Sequence, residues 1–189
     1  MQVLQSIKNH GVSAWPVLAT AVSLWFLFIL LVLPNQSAAT GQYATAGTPD
    51  MSLAITPAEF HRMVAAFGPE GRRHYIQSRF RFDAVWPLVY AFFYLSLSTF
   101  LLRRAGLPGR GLHRIAVGLP LLALLADYGE NLLAVRAVRD FPEESTRLVQ
   151  ILSLVTSLKW LAIILIHGLM ATILMVWFVR RRRRRTTGW

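Results

Sequence analysis

The stretch from residue 115 to residue 135, "IAVGLPLLALLADYGENLLAV", decides the fold, because it is apolar enough to enter a bilayer and yet carries three strongly polar side chains. A helix needs about 20 predominantly apolar residues to cross the hydrocarbon core. Asp127, Glu130 and Asn131 are spaced i, i+3 and i+4, so a helix places them on one face. Since an intramembrane carboxylate costs about 2.5–3.5 kcal/mol on insertion scales, this face is expected to point into a bundle of helices.

Three further segments are long and apolar enough to span a membrane, and 54% of the 189 residues are hydrophobic. The predicted spans are about 12–33, 83–102, 115–135 and 150–179. The first contains about 20 apolar residues, more than the roughly 7–15 of a signal peptide, which favours an anchor. Connections of about 12 and 14 residues make the later spans antiparallel neighbours. The sequence therefore predicts a single all-α membrane domain, built as a four-helix up-down bundle.

The long connection between the first two spans, residues 34–82, is predicted to form a small extracytoplasmic helical cap. Residues 34–55 are small, polar and interrupted by Gly and Pro, which is typical of a loop. Thr56, Pro57 and Glu59 then fit a capping box with proline at the first helical position. Two short helices are predicted in this cap, at about 57–67 and 69–80.

The net charge of +11 is distributed as membrane topology requires. Cations without acids lie at the N-terminus, in the second–third connection and in the tail: Lys8, Arg103, Arg104, Arg110, Arg114 and Arg180–Arg185. In the other two connections the charges nearly cancel, so the positive-inside rule places both termini in the cytoplasm. The tail Arg180–Arg185 is interpreted as a stop-transfer anchor, with contact to anionic lipid as the alternative. Nucleic acid is disfavoured as a partner, because no interleaving of aromatic and basic residues accompanies the run.

The composition indicates the inner (plasma) membrane of a bacterium and excludes several kinds of site. Abundant arginine and alanine are typical of a GC-rich bacterial genome. The absence of cysteine excludes disulfides and cysteine-ligated metals. The spacing of Glu59, His61, His74 and Asp83 matches no metal site, and no nucleotide-binding or protease fingerprint occurs. We therefore predict no metal and no cofactor.

Polar groups from different spans are predicted to lie at matching depths in the bilayer. At about 1.5 Å per residue from each basic flank, a first layer lies at about 20 Å and contains Trp25, Tyr90, Asp127 and His167. A second layer lies at about 24–30 Å and contains Asp83, Glu130, Asn131 and Lys159. Pro87 removes the helical donor to the carbonyl of Asp83, so a local opening is expected there. We predict that these two layers form a ligand-binding site.

Two residues of these layers allow alternative interpretations. Lys159 can pair with Glu130, or it can act with Trp160 as an anchor at the membrane interface. His167 can bond to a neighbouring helix, or it can exchange a proton with Asp127. In the second case, Asp127 and His167 are candidate catalytic residues.

Three spaced motifs carry a resemblance to a protein family. They are G-x-E-G-R-x-x-Y in "FGPEGRRHY", D-x-x-x-P-x-x-Y in "DAVWPLVY" and D-x-x-E-N in "DYGEN". Together they resemble the signature of small bacterial membrane proteins with four transmembrane helices. The resemblance covers residues 56–135 and implies no named activity.

These observations support three hypotheses about function. In the first, the bundle binds a lipid-like or other apolar small molecule in an outward-opening cavity, where Asp127, Glu130 and Asn131 meet its polar end. In the second, a membrane-embedded isomerase or hydrolase uses His167 and Asp127 for acid–base chemistry on a lipid-like substrate. In the third, the protein is an accessory or assembly subunit whose polar groups hold its helices together or bind a membrane-protein partner or a second copy.

Overall fold

The computed structural model describes residues 14–107, 109–143 and 145–186. Within these ranges the chain is 87% helical and contains no strand. Four helices are long and apolar enough to cross a membrane: Trp15–Gly41, Gly68–Ala105, Arg110–Arg139 and Thr146–Arg182. The all-α class and the four long apolar helices are therefore confirmed.

The first long helix extends beyond the predicted end of the first span. It consists of α1 (Ala14–Leu27), a π-helical turn (Phe28–Val32) and α2 (Leu33–Gly41). The prediction that residues 34–41 belong to a loop is therefore wrong. The proline at position 34 lies at the start of α2, directly after the π-helical turn. Extending an existing helix avoids the cost of nucleating a new one.

The short helix α3 (Pro57–Ala66) begins at the predicted capping box. Thr56 Oγ1 accepts from the backbone N–H of Glu59 at 3.3 Å, and Glu59 Oε2 accepts from the backbone N–H of Thr56 at 2.9 Å. The backbone N–H and the hydroxyl of Thr56 both donate to Glu59 Oε2, and these two bonds lower the pKa of Glu59 below its usual value. The side chains of Phe60 and Val64 on α3 are buried, so this helix packs onto the bundle.

The helix α4 (Gly68–Ala105) is continuous, which corrects the prediction of a separate short helix at 69–80 before the second span. Gly68 has φ +63, a conformation that favours glycine, and it separates α3 from α4. No helix-breaking residue follows between positions 80 and 83. Arg79 and Asp83 instead form an i,i+4 ion pair across the predicted gap, which stabilises a helix there.

The helices α5 (Arg110–Arg139) and α6 (Thr146–Thr186) complete the bundle. α4 packs against α1, α5 and α6. Alanines at the contacts between helices let the backbones approach closely; the most buried are Ala21, Ala123 and Ala162. We call the end where α3 packs the cap end, and the end where Arg103, Arg104 and Arg180 lie the basic end.

The capping box yields a prediction about stability. Thr56→Ala removes the side-chain acceptor at the start of α3, and we expect the melting temperature of the detergent-solubilised protein to fall by roughly 2–4 °C. Thr56→Ser keeps the acceptor and should behave like the wild type. Equal melting temperatures for the Ala and Ser variants would show that the cap does not stabilise the fold.

Candidate ligand-binding site

The centre of the site is Arg79 on α4, whose side chain is only 7% exposed. Its Nη2 lies 2.8 Å from Asp50 Oδ1, and its Nη1 lies 3.1 Å from Asp83 Oδ2. Nη1 also donates to Asn131 Oδ1 at 3.2 Å, and the guanidinium carbon lies 4.4 Å from the centroid of the Tyr75 ring. A buried cation is tolerated only when it is paired and hydrogen-bonded. Arg79 obtains these partners from a loop, from its own helix and from α5.

Asn131 links Arg79 to the predicted first layer. Its Nδ2 donates to Asp127 Oδ1 at 3.3 Å and to the carbonyl of Asp83 at 3.4 Å. This carbonyl is the one that Pro87 deprives of its helical donor, so the amide of Asn131 occupies the predicted opening. Tyr90 Oη donates to Asp127 Oδ2 at 2.9 Å. Asp83, Tyr90, Asp127 and Asn131 are therefore brought together, with Asn131 linking the two layers of the depth estimate.

Glu130 on α5 and Lys159 on α6 form an ion pair, and both are buried. Lys159 also lies 5.4 Å from the ring centroid of Trp160, but its burial shows that it points into the bundle. Among the described residues, four buried side-chain polar atoms have neither a hydrogen-bond partner nor an ion-pair partner: Tyr75 Oη, Arg79 Nε, Glu130 Oε1 and Thr156 Oγ1. Buried polar groups are nearly always bonded, so these atoms can pair with water or with a polar group of a ligand.

Residues 50–55, which we call the strap, cross the cap end of the bundle and are fastened to α6. Ser153 Oγ accepts from a backbone N–H of the strap at 2.9 Å, and Ser157 Oγ donates to one of its carbonyls at 2.5 Å. Trp160 Nε1 donates to the carbonyl of Asp50 at 3.1 Å. The strap thereby holds the Asp50 carboxylate against Arg79.

The surroundings of Asp50 keep it ionised. Burial opposes its charge, but the positive charges of Arg79 and Lys159 outweigh burial and hold the pKa of Asp50 below its usual value of 3.8. A hydrogen bond from Thr48 acts in the same direction. Asp50 is therefore a permanent anion at neutral pH, and Arg79 remains paired with it.

The structure does not bring His167 into contact with Asp127. His167 Nδ1 lies 2.8 Å from the carbonyl of Ile163, and Nε2 lies 3.2 Å from Tyr94 Oη. A carbonyl can only accept, so Nδ1 carries the proton and Nε2 accepts from Tyr94. Both ring nitrogens are thus engaged elsewhere, and His167 is exposed on the surface of the bundle. These contacts provide no direct path for the predicted proton exchange.

Trp25 lies in the apolar part of the bundle beside the site. Its ring stacks on Phe93 with centroids 4.7 Å apart and an interplanar angle of 16°. It packs against the buried cluster that contains Tyr90 and Tyr94. Trp25 therefore contributes apolar packing near Tyr90 rather than a polar contact to the charged groups.

The charged groups of the site do not balance. Two cations, Arg79 and Lys159, face four carboxyl groups: Asp50, Asp83, Asp127 and Glu130. If all were ionised, two negative charges would remain uncompensated in a poorly solvated region, which is unfavourable. The imbalance favours neutralisation by protons or by donor groups of a ligand.

A half-open cavity of about 320 Å³ lies between α2, α4 and the loop that precedes the strap. Gln36, Ser37 and Thr40 of α2 form one wall, and the charged floor consists of Asp50, Arg79 and Asp83. Asp127, Glu130 and Asn131 do not line it. Asn131 connects Asp127 to Arg79 of the floor, whereas Glu130 pairs with Lys159.

The sequence analysis missed three residues of the site, namely Tyr75, Arg79 and Asp50. The first two carried a readable signal, since Tyr75, Arg79 and Asp83 repeat at i, i+4 and i+8 in line with Pro87. This spacing predicts one helical face, but the expected helix boundary near residue 80 divided it. Asp50 carried no signal, because a tertiary contact brings it from a loop to Arg79.

Comparisons with protein-family models, with curated proteins and with solved structures found no match to this chain. The resemblance noted above therefore rests on its three spaced motifs. The fold brings these motifs together, since Tyr75 contacts Arg79, which binds Asp83 and Asn131. Their spacing is thus explained by one buried polar cluster.

The pairing of Arg79 yields a second prediction. Arg79→Gln leaves Asp50 and Asp83 without a counter-charge, and we expect the free energy of unfolding to fall by roughly 3–5 kcal/mol. Combining it with Asp50→Asn and Asp83→Asn should recover part of this loss. Arg81→Gln, at an exposed position of the same helix, is the matched control and should have little effect. The measurement is equilibrium unfolding in detergent, and no recovery in the triple variant would contradict the proposed pairing.

The ionisation of Asp50 yields a third prediction, on pH dependence. Because its folded pKa is lowered, its contribution to stability is fully present above about pH 3.8 and is lost as pH falls through the lowered pKa. The melting temperatures of the wild type and of Asp50→Asn should therefore differ most at neutral pH and converge in acid. A difference that is constant from neutral pH to about pH 2 would contradict this assignment.

Proposed function

We propose that this chain is an integral membrane protein that binds a lipid-like or other apolar small molecule with a polar end in the cavity between α2 and α4. The cavity is the observation that carries the proposal, because about 320 Å³ lies within the usual size of small-molecule sites. Apolar and polar groups meet there, since Leu33 and Phe82 line it together with Arg79 and Asp83. Such a lining suits a ligand with one apolar and one polar end.

Membrane insertion is supported by the apolar outer surface of the helices. Leu125, Leu132 and Leu154 are 65–70% exposed, and contact with lipid makes such an apolar surface favourable. The order of contacts supports an up-down bundle: along α4 and α5, Arg79 meets Asn131 whereas Tyr90 meets Asp127. We place the cap end outside the cell and both termini in the cytoplasm of a bacterium, following the positive-inside rule.

The polar end of the ligand meets the floor of the cavity in this proposal. Asp83 and Arg79 present an acceptor and a donor side by side, and their charges are already paired. A ligand donor group approaching Asp83 would offset part of the excess negative charge behind the floor. Asn131 acts one step away, by holding Arg79 and the carbonyl of Asp83 in place, and Asp127 accepts a hydrogen bond from Asn131. Glu130 contributes through its ion pair with Lys159.

A purely structural role, as in an assembly subunit, is the second candidate. It is favoured by the extent to which the buried groups satisfy one another, and by Asp127 and Glu130 being 7% and 1% exposed. In that case the polar cluster joins the helices and the cavity stays unoccupied by any specific molecule. The two functions differ in what co-purifies with the protein.

The fourth prediction tests the cavity directly. Thr40→Trp places a bulky ring in the wall of the cavity without touching the charged floor. Native mass spectrometry of the purified full chain should detect an apolar molecule bound to the wild type, and retention should fall roughly tenfold in this variant. The matched control is Thr45→Trp, at an exposed position outside the cavity, which should retain the molecule.

The outcomes separate the two candidate functions. Loss of the bound molecule in the Thr40 variant alone supports binding in the cavity. Equal retention in all three proteins places the molecule elsewhere on the surface and contradicts the proposal. Absence of any bound molecule from a well-folded wild type favours the structural role.

A further inference from the structure

The basic end of the bundle contains two adjoining cavities, separate from the one at the cap end. The first, of about 500 Å³, is lined by Arg103, Arg110 and His113 together with apolar residues. The second, of about 420 Å³, is lined by Arg103, Arg104, Trp177, Arg180 and Arg181. Arg103 and Gly106 line both cavities, so the two form one continuous surface around the turn between α4 and α5.

Backbone conformation and hydrogen bonds fix the shape of this surface, so it is more than a set of exposed arginines. Gly106 has φ +60, so glycine is favoured where the chain leaves α4. Arg180 Nη1 donates to the carbonyls of Ala105 and Gly106 at 2.9 and 3.0 Å. These bonds fasten the end of α6 to the turn and fix the position of the guanidinium. Within the described part of the chain, no acceptor binds the Nε or Nη2 atom of Arg180, so no other group competes for these donors.

Among the described residues, the cations of this surface form no ion pair with a carboxylate. The sequence contains no Asp or Glu between residues 84 and 126 or after residue 144. No carboxylate of the described residues lines either cavity. At least five arginines therefore gather without an Asp or Glu partner, namely Arg103, Arg104, Arg110, Arg180 and Arg181. Such clusters bind phosphate groups, which guanidinium recognises through paired hydrogen bonds.

The walls of the cavities indicate a lipid rather than a soluble anion. Leu102 and Leu107 line the first cavity, and Trp177 lines the second. Arg181 lies 5.4 Å from the ring centroid of Trp177, an arrangement suited to the headgroup region, where aromatic rings and cations meet. A soluble phosphate would use the arginines but would leave the apolar walls in contact with water.

We propose that the turn between α4 and α5 and the end of α6 form a binding site for the phosphate headgroup of an anionic phospholipid. Arg103 and Arg110 bind the phosphate from one side, and the free donors of Arg180 bind it from the other. The glycerol and the start of the acyl chains lie against Leu102 and Leu107. This inference rests, like the proposed function, on insertion of the chain in a membrane. It does not depend on the cavity at the cap end.

The test uses the purified full chain in a zwitterionic detergent, with phosphatidylglycerol added as the probe and phosphatidylcholine as the neutral comparison. Native mass spectrometry measures how much lipid remains bound. We expect phosphatidylglycerol to be retained by the wild type and to bind roughly tenfold more weakly to the double variant Arg103→Gln/Arg110→Gln. The matched control Arg114→Gln/Arg182→Gln removes the same charge from the same end at positions that line neither cavity, and should retain the lipid.

Each outcome decides for or against the site. Selective loss in the cavity variant supports it, and restoration by Arg103→Lys/Arg110→Lys would assign the effect to charge rather than to folding. Equal loss in both double variants overturns it, because general surface charge would then explain binding. If millimolar inorganic phosphate alone displaces the lipid, the site recognises phosphate without a lipid, and this result also overturns the proposal. The Thr40 variant should keep phosphatidylglycerol, so failure of one proposal can be distinguished from failure of the other.

Discussion

The need to pair one buried guanidinium, that of Arg79, determines how the cap end of this protein is put together. A buried cation without partners would cost several kcal/mol. Arg79 meets this requirement with Asp50 from the strap, Asp83 from the next turn of α4 and Asn131 from α5. Each of these contacts fixes a different part of the chain. Arg79 therefore links the strap, the continuity of α4 and the register between α4 and α5, together with the bonds of the strap to α6 and of Tyr90 to Asp127.

The two ends of the bundle present different chemistry to their surroundings. At the cap end, four carboxyl groups face Arg79 and Lys159, and the cavity exposes only the outer part of that cluster. At the basic end, arginines gather without any acid, and both cavities have apolar walls. Between them lies an apolar middle, packed with alanines and with the aromatic rings around Tyr90. This separation suits a protein that binds one amphiphilic ligand from outside and anionic lipid on the other side.

Much of the fold follows from local signals that can be read along the chain. The four long apolar helices follow from length and hydropathy, and the start of α3 follows from its capping box. Depth counting placed Tyr90 level with Asp127, and these two side chains are hydrogen-bonded, because helical rise is regular and the basic flanks set a common origin. It also placed His167 level with Asp127, but His167 bonds to Tyr94 and Ile163 instead, since equal depth says nothing about which way a side chain points around its helix. Arg79 was not predicted as a site residue, because a helix boundary was expected near residue 80. The ion pair between Arg79 and Asp83 instead continues the helix there.

The most direct measurement of the central claim is a high-resolution density map of the full chain in lipid nanodiscs, examined around Arg79 and Asp83. We expect elongated density that begins within hydrogen-bond distance of Asp83, runs along α2 past Thr40 and belongs to a molecule with one polar and one apolar end. We also expect Arg79 to contact both Asp50 and Asp83 when the molecule is bound. A cavity closed by α2, or one that holds only isolated water molecules in a sample that retains its native lipids, would contradict this expectation.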